Sequence, residues 1–180
     1  MIPVKVQKIS YYHPNRSYAV ILKELEGDRR LPVLVGAYEA QAIAMAMEYM
    51  ETPRPLTHDL IVNLVKGIDG VLSAVKITKL EEGVFYSILE VQAEKLGHRE
   101  IDSRPSDALA VALRMHTPIL VAEEVMNEAI VWEEDLQNVE EDLQHEPKVD
   151  LLERQLQKAI DKEEYEMAAR IRDKINKIED

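Results

Sequence analysis

Apolar and polar residues alternate along Val4-Lys5-Val6-Gln7-Lys8-Ile9, the period of a half-buried strand. A denser apolar run over residues 18–25 predicts a second, more fully buried strand, and Leu31-Pro32-Val33-Leu34-Val35 a third. Pro32 has no amide donor, so the third strand belongs at a sheet edge or begins there. His13-Pro14-Asn15-Arg16 and Glu26-Gly27-Asp28-Arg29-Arg30 carry turn chemistry and would complete an antiparallel meander.

The period then changes. Ala40, Ile43, Ala44, Met47 and Met50 form an apolar stripe at helical spacing, which predicts a helix over 37–50. Its other side is also small (Ala42, Ala46), the mark of a helix that is buried or packed against a second chain. Thr57 is a suitable N-cap for a second helix whose expected core face is Leu60, Ile61, Leu64, Val65 and Ile68, with Gly67 or Gly70 ending it. Strand character returns from Val71 to Leu80 and from Phe85 to Val91, with Glu81-Glu82-Gly83 as the hairpin turn between them. Leu96-Gly97-His98-Arg99 reads as another turn, and Arg99-Glu100-Ile101 as the strand that follows.

Ile101 to Asp107 is the most unusual stretch. It packs three ionisable side chains and two hydroxyls between an apolar strand end and the apolar run Ala108-Leu109-Ala110-Val111-Ala112-Leu113. Pro105 suits the first helical position, where its missing N–H costs nothing. The proline pushes Arg104 out of the helical region, and Asp107 falls in the first turn, where a carboxylate complements the helix dipole. The helix should end near His116-Thr117-Pro118, with Ile119-Leu120-Val121 as a short buried strand after it.

These elements predict an α+β fold, a mixed and mainly antiparallel sheet packed with helices, over residues 1–125. Residues 126–148 read as an acidic connector with short helices around Val125-Met126 and from Trp132 to Leu143. In residues 149–180, two stripes, one from Val149 to Ile160 and one from Tyr165 to Ile178, predict a helical hairpin. So short a hairpin buries too little surface to fold securely alone. It should dock on its own body, on a second copy or on another protein.

Composition changes this picture in two ways. Residues 123–150 hold eleven acidic side chains and one basic, so ten of the twelve net negative charges sit in that segment. The body is near neutral and lacks the clustered Lys and Arg that drive phosphate binding. The chain also has no cysteine, which excludes disulfides, thiolate metal sites and cysteine nucleophiles. No apolar run reaches the length of a membrane span, and no basic stretch followed by an apolar one opens the chain. A cytoplasmic protein with no membrane association is the simplest expectation.

The candidate chemistry lies in three segments. Glu39 sits beside the apolar stripe of the first helix, where the plainer reading is a carboxylate at the rim. His58 and Asp59 occupy the first turn of the second helix. A neutral His beside a carboxylate could act as a general base, although capping alone would also account for Thr57-His58-Asp59. Asp102, Arg104 and Asp107 complete the set, and for them a well-capped helix start is as good a reading as a functional one.

The segments Leu31 to Ala40, Arg54 to Leu60 and Ile101 to Ala108 resemble, in order and spacing, the bifunctional nuclease family over about the first 125 residues. Leu156, Ala159-Ile160, Glu163, Tyr165-Glu166, Ala168-Ala169 and Arg172-Asp173 resemble the UVR motif of the excision-repair proteins UvrB and UvrC. The first resemblance implies an α+β domain, homodimerisation and hydrolysis of DNA and RNA phosphodiesters with little sequence preference. The second implies a protein-docking hairpin, for which Tyr165, Ala168, Ala169 and Arg172 are the expected contact residues.

Phosphodiester hydrolysis needs an activated water and stabilisation of phosphate charge. On the nuclease reading, Glu39, His58, Asp59, Asp102 and Asp107 are the candidate catalytic residues and Arg54 and Arg104 the candidate phosphate ligands. Asp59, Asp102 and Asp107 are the candidate ligands for a divalent cation, Mg²⁺ or Mn²⁺; no organic cofactor is expected. The alternative is a non-catalytic adaptor in which Asp102, Arg104, Asp107 and His58 form a structural salt-bridge network and residues 149–180 bind a partner.

Overall fold

The computed structural model describes Met1–Tyr12 and Ser17–Ala129. The expected turn at 13–16, the expected helix over 132–143, most of the acidic connector and the C-terminal hairpin with Tyr165, Ala168, Ala169 and Arg172 lie outside the described residues. The chain divides into two compact units, Met1–Glu133 and Glu134–Asp180.

The described residues of the first unit hold one mixed sheet and four helices. β1 (Ile2–Tyr12), β2 (Ser17–Glu24) and β3 (Arg30–Val35) form the predicted antiparallel meander. Pro32 lies on β3, which is an edge strand as its missing donor requires. Helices α1 (Ala37–Met47) and α2 (Thr57–Gly67) follow. β4 (Gly70–Glu81), β5 (Val84–Ala93) and β6 (Gly97–Ser103) make a second antiparallel set. The β4–β5 loop is the two residues Glu82 and Gly83, both at positive φ (51° and 77°), the geometry that matches the twist of the flanking strands. α3 (Pro105–Met115) then crosses the sheet to β7 (Ile119–Val121), and α4 (Glu123–Glu128) closes the unit.

The strand order is β3-β2-β1-β7-β4-β5-β6. The three residues of β7 join the two antiparallel sets by pairing antiparallel with β1 and parallel with β4. Ile119 and Val121 are buried in the core, and Leu120 between them is partly buried on the opposite face, so a short unbroken apolar run suits this position.

α3 is the central helix. Ser106 and Ala108 through Ala112 are buried, and four of those six are alanine or serine, so the helix can lie close to the sheet and to both α1 and α2. α2 departs from its predicted orientation. Val62 is buried, and Ile61 and Val65 are partly buried against the core, whereas Leu60, Leu64 and Ile68 are about half exposed or more. The helix is apolar on two sides, and periodicity alone cannot say which side meets α3 and β4. Met50 is also exposed, because α1 ends at Met47 and Tyr49 takes a left-handed conformation. At the start of the acidic segment, Val125 and Met126 are buried in the core.

Candidate active site

Glu39, Asp59 and Asp107 each stand three residues after the N-cap of an eleven-residue helix: Gly36 in α1, Leu56 in α2 and Arg104 in α3. At that position a carboxylate meets the free N–H groups and the positive end of the helix dipole. Thr57, expected as the cap of α2, is instead its first helical residue. Asp59 Oδ2 accepts the Leu56 N–H at 2.8 Å, the half of a capping box that a leucine cap allows.

Asp107 and Glu39 are held differently. Arg104 donates from Nε and Nη2 to the two oxygens of Asp107, at 2.7 and 3.2 Å, and from Nη1 to Glu39 Oε1 at 3.2 Å. On its other side, Asp107 Oδ1 lies 3.1 Å from His58 Nε2. The result is a continuous run, Glu39–Arg104–Asp107–His58, that joins the first turns of three helices. Burial favours the protonated Asp107, but the Arg104 guanidinium and then the His58 ring outweigh it and hold the carboxyl below its ordinary 3.8. Asp107 is therefore ionised at neutral pH, and His58 Nε2 carries the shared hydrogen. Nδ1 of His58 makes no hydrogen bond among the described residues.

Asp59 points elsewhere. Its Oδ1 accepts from Arg114 Nε at 2.7 Å, two helical turns along α3 from Asp107. Arg114 Nη1 also donates to the Ala42 and Ala110 carbonyls, so this one side chain ties all three helices together. Burial again pushes the Asp59 carboxyl up, and the Leu56 N–H and Arg114 more than reverse it, leaving it below 3.8. The sequence reading missed Arg114. Its signal was the single cation of α3, in the last turn, a place that the dipole alone explains.

The strand pleat separates Asp102 from this group. Ser103 Oγ lies 3.0 Å from Ser87 Oγ, and Ser87, Leu89 and Val91 are buried on the helix-bearing face. Asp102 pairs in register with Ile88, so it falls on the opposite face of the sheet. Asp59, Asp102 and Asp107 therefore do not converge as a metal site: both oxygens of Asp59 and of Asp107 already accept hydrogen bonds, and Asp102 lies across the sheet. The three-ligand grouping found among the described residues is a different one, Glu90, His98 and Glu100. Arg54 is exposed in the loop before α2, where its carbonyl accepts the Thr52 hydroxyl at 2.7 Å.

A cleft of about 350 Å³ opens beside the charged run. Its walls are the end of β3 (Val33 to Gly36) and the β4–β5 turn (Gly83 to Phe85), with Glu39, Arg104, Pro105 and Ser106 at its charged end. Of the five candidate catalytic residues, Glu39 lines this cleft, while Asp107 and His58 stand behind Arg104. The Arg104 side chain is 66% exposed and the His58 side chain 14%.

Fold and site together define an α+β domain with a charged centre built where three helices begin. Residues 20–134 match the bifunctional nuclease domain family, and residues 148–180 match the UvrB/uvrC motif. An uncharacterised protein of Mycobacterium tuberculosis is 40% identical over 126 residues, which cover 70% of this chain and 74% of that protein. Bifunctional nuclease 1 of Oryza sativa subsp. japonica is 28% identical over 109 residues, 58% of this chain and 32% of the rice protein. The chain belongs to the bifunctional nuclease domain family and carries a UVR motif after that domain.

Proposed function

We propose that this protein hydrolyses phosphodiester bonds of DNA and RNA with low sequence preference, using Arg104 and the His58–Asp107 pair. The observation that carries this reading is the 3.1 Å contact between His58 Nε2 and Asp107 Oδ1. Ionised Asp107 holds Nε2–H and leaves Nδ1 as the basic nitrogen, the arrangement that orients an imidazole as general base. Three of the five N–H donors of Arg104 are engaged within the run, and two remain for phosphate oxygens at the cleft. Water oxygen attacks phosphorus as its proton passes to His58 Nδ1, one P–O ester bond breaks, and the departing oxygen takes a proton from solvent. Glu39 positions Arg104.

The test uses purified full-length protein with single-stranded DNA and RNA, in Mg²⁺, Mn²⁺ or EDTA. Cleavage should fall at least a hundredfold in His58→Ala, the usual scale for loss of a general base, with circular dichroism unchanged. Cleavage equal in wild type and His58→Ala would mean a contaminating nuclease or another site.

A second reading is favoured by the pairing itself. Asp59 and Asp107 are fully engaged, and Arg104 already faces two carboxylates, so the cleft offers phosphate little net positive charge. On this reading the charged run fixes the helix packing, and the protein is an adaptor that acts in the cytoplasm through residues 149–180. It predicts no cleavage by any variant and loss of partner binding on removal of 148–180.

Either reading accommodates a homodimer. Leu60, Leu64 and Ile68 form an exposed stripe at i, i+4 spacing on α2, which suits a second copy of the domain. Leu64→Glu should shift the mass measured by light scattering from dimer to monomer; an unchanged mass would remove α2 from the interface.

A further inference from the structure

We propose that Glu90, His98 and Glu100 bind a divalent transition-metal ion of the Mn²⁺ to Zn²⁺ range on the face of the sheet turned away from α1, α2 and α3. The site is independent of the proposed nuclease centre and shares no residue with it.

The strand register assembles the ligands. Glu90 on β5 is the direct cross-strand partner of Glu100 on β6. His98 precedes Glu100 by two residues, so the pleat puts both on one face of the edge strand. One donor atom from each of the three side chains lies within 4.8 Å of the others. Around an ion with bonds of about 2.0–2.2 Å, two donors are never more than about 4.4 Å apart. Small side-chain rotations are therefore enough to close the set.

Charge gives a second and separate reason. Two carboxylates directly opposite each other in a sheet repel. Lys76 binds Glu90 and neutralises one of them. Among the described residues Glu100 has no lysine or arginine partner; its neighbour is His98, at 3.9 Å. Asp102, two residues on, adds a further carboxylate to the same face of β6. A cation held between Glu90 and Glu100 would convert this repulsion into attraction. Lys76 on one oxygen of Glu90 then orients the other, as hydrogen bonds to ligating carboxylates commonly do.

The ligand set selects the metal. One imidazole with two carboxylates suits Mn²⁺ or Zn²⁺, whereas Mg²⁺ and Ca²⁺ prefer all-oxygen surroundings. His98 and Glu100 are each more than half exposed, which leaves room for water at the remaining positions.

The test is calorimetric titration of Zn²⁺, and separately Mn²⁺, into chelator-treated full-length protein. One ion should bind per chain, and His98→Ala and Glu100→Gln should each weaken binding about tenfold or more. Both positions are exposed, so neither substitution threatens the fold. Mn²⁺ should also broaden the amide NMR signals of residues 90 and 98–100 first. If both variants bind as tightly as wild type, or broadening centres elsewhere, these charges serve only to keep an edge strand soluble and the proposal fails. A Mg²⁺ affinity equal to that for Mn²⁺ would overturn the assigned metal class.

Discussion

On the helix side of the sheet, Glu39, Arg104, Asp107 and His58 form an unbroken run of hydrogen bonds drawn from three helices. On the other side, Glu90 and Glu100 face each other across two strands, and among the described residues one lysine is bound to the first and none to the second. The two groups contain similar residues, but their charge is handled oppositely. In the first, every carboxylate has a donor, so the group holds the helices together and keeps Asp107 ionised. In the second, negative charge is left uncompensated at an exposed edge. Paired charges are a weak sign of a ligand and a good sign of structure. An uncompensated cluster with donors in coordinating positions points the other way.

Arg114→Met should separate the two faces most sharply. It strips Asp59 of its cation and removes the side-chain hydrogen bonds to the Ala42 and Ala110 carbonyls, so unfolding stability should fall by about 2–3 kcal/mol in denaturant titration, with metal binding at Glu90 and Glu100 unaffected. A fall below about 0.5 kcal/mol would show that the helix-side network contributes no more than surface pairs do.

Acid should act through the same network. Asp59 and Asp107 both titrate below 3.8 in the folded chain. As pH falls, their unfolded-state carboxyls take up protons first. The stability they contribute is complete above the unfolded pKa of about 3.9 and drains as pH falls through the lower folded values. Asp107→Asn should lower stability at pH 7 by about 1–2 kcal/mol and make the decline below pH 4 shallower. Denaturation midpoints from pH 2 to 7 measure both effects, and an acid limb parallel to wild type would remove Asp107 from the linkage.

The smallest expected change has the opposite sign. Glu100→Gln relieves a cross-strand repulsion and should raise metal-free stability by roughly 0.2–1 kcal/mol, while reducing the gain from added Mn²⁺. Removing a carboxylate thus destabilises the helix face and stabilises the strand face. If Glu100→Gln destabilises the metal-free protein, the two faces do not differ in this way.

Much of the architecture was legible in the chain. The meander, the hairpin at Glu82-Gly83, Pro105 at the first position of α3 and the strand at 119–121 all follow from local period and backbone chemistry. The site was legible in part. Asp59 and Asp107 belong to first turns, which the sequence shows, and Arg104 and His58 stand beside them; the first-turn place of Glu39 comes from the structure. Adjacency to Arg104 in sequence does not place Asp102, because side-chain direction reverses at each strand residue. Turn chemistry around Gly97 hides His98, although the alternation His98-x-Glu100-x-Asp102 has the period of a strand face.

By itself, then, the sequence determined which elements form and where they begin, since hydrophobic period, proline, glycine and first-turn acids act over a few residues. It also determined the family, through three polar segments in a fixed order. Only the tertiary structure decided that Asp107 meets His58 while Asp59 meets Arg114, that Leu64 faces outward, and that Glu90 opposes Glu100. Those outcomes depend on strand register and on the rotation of a helix about its own axis. Both are settled by packing between distant segments, and neither leaves a mark on local residue spacing.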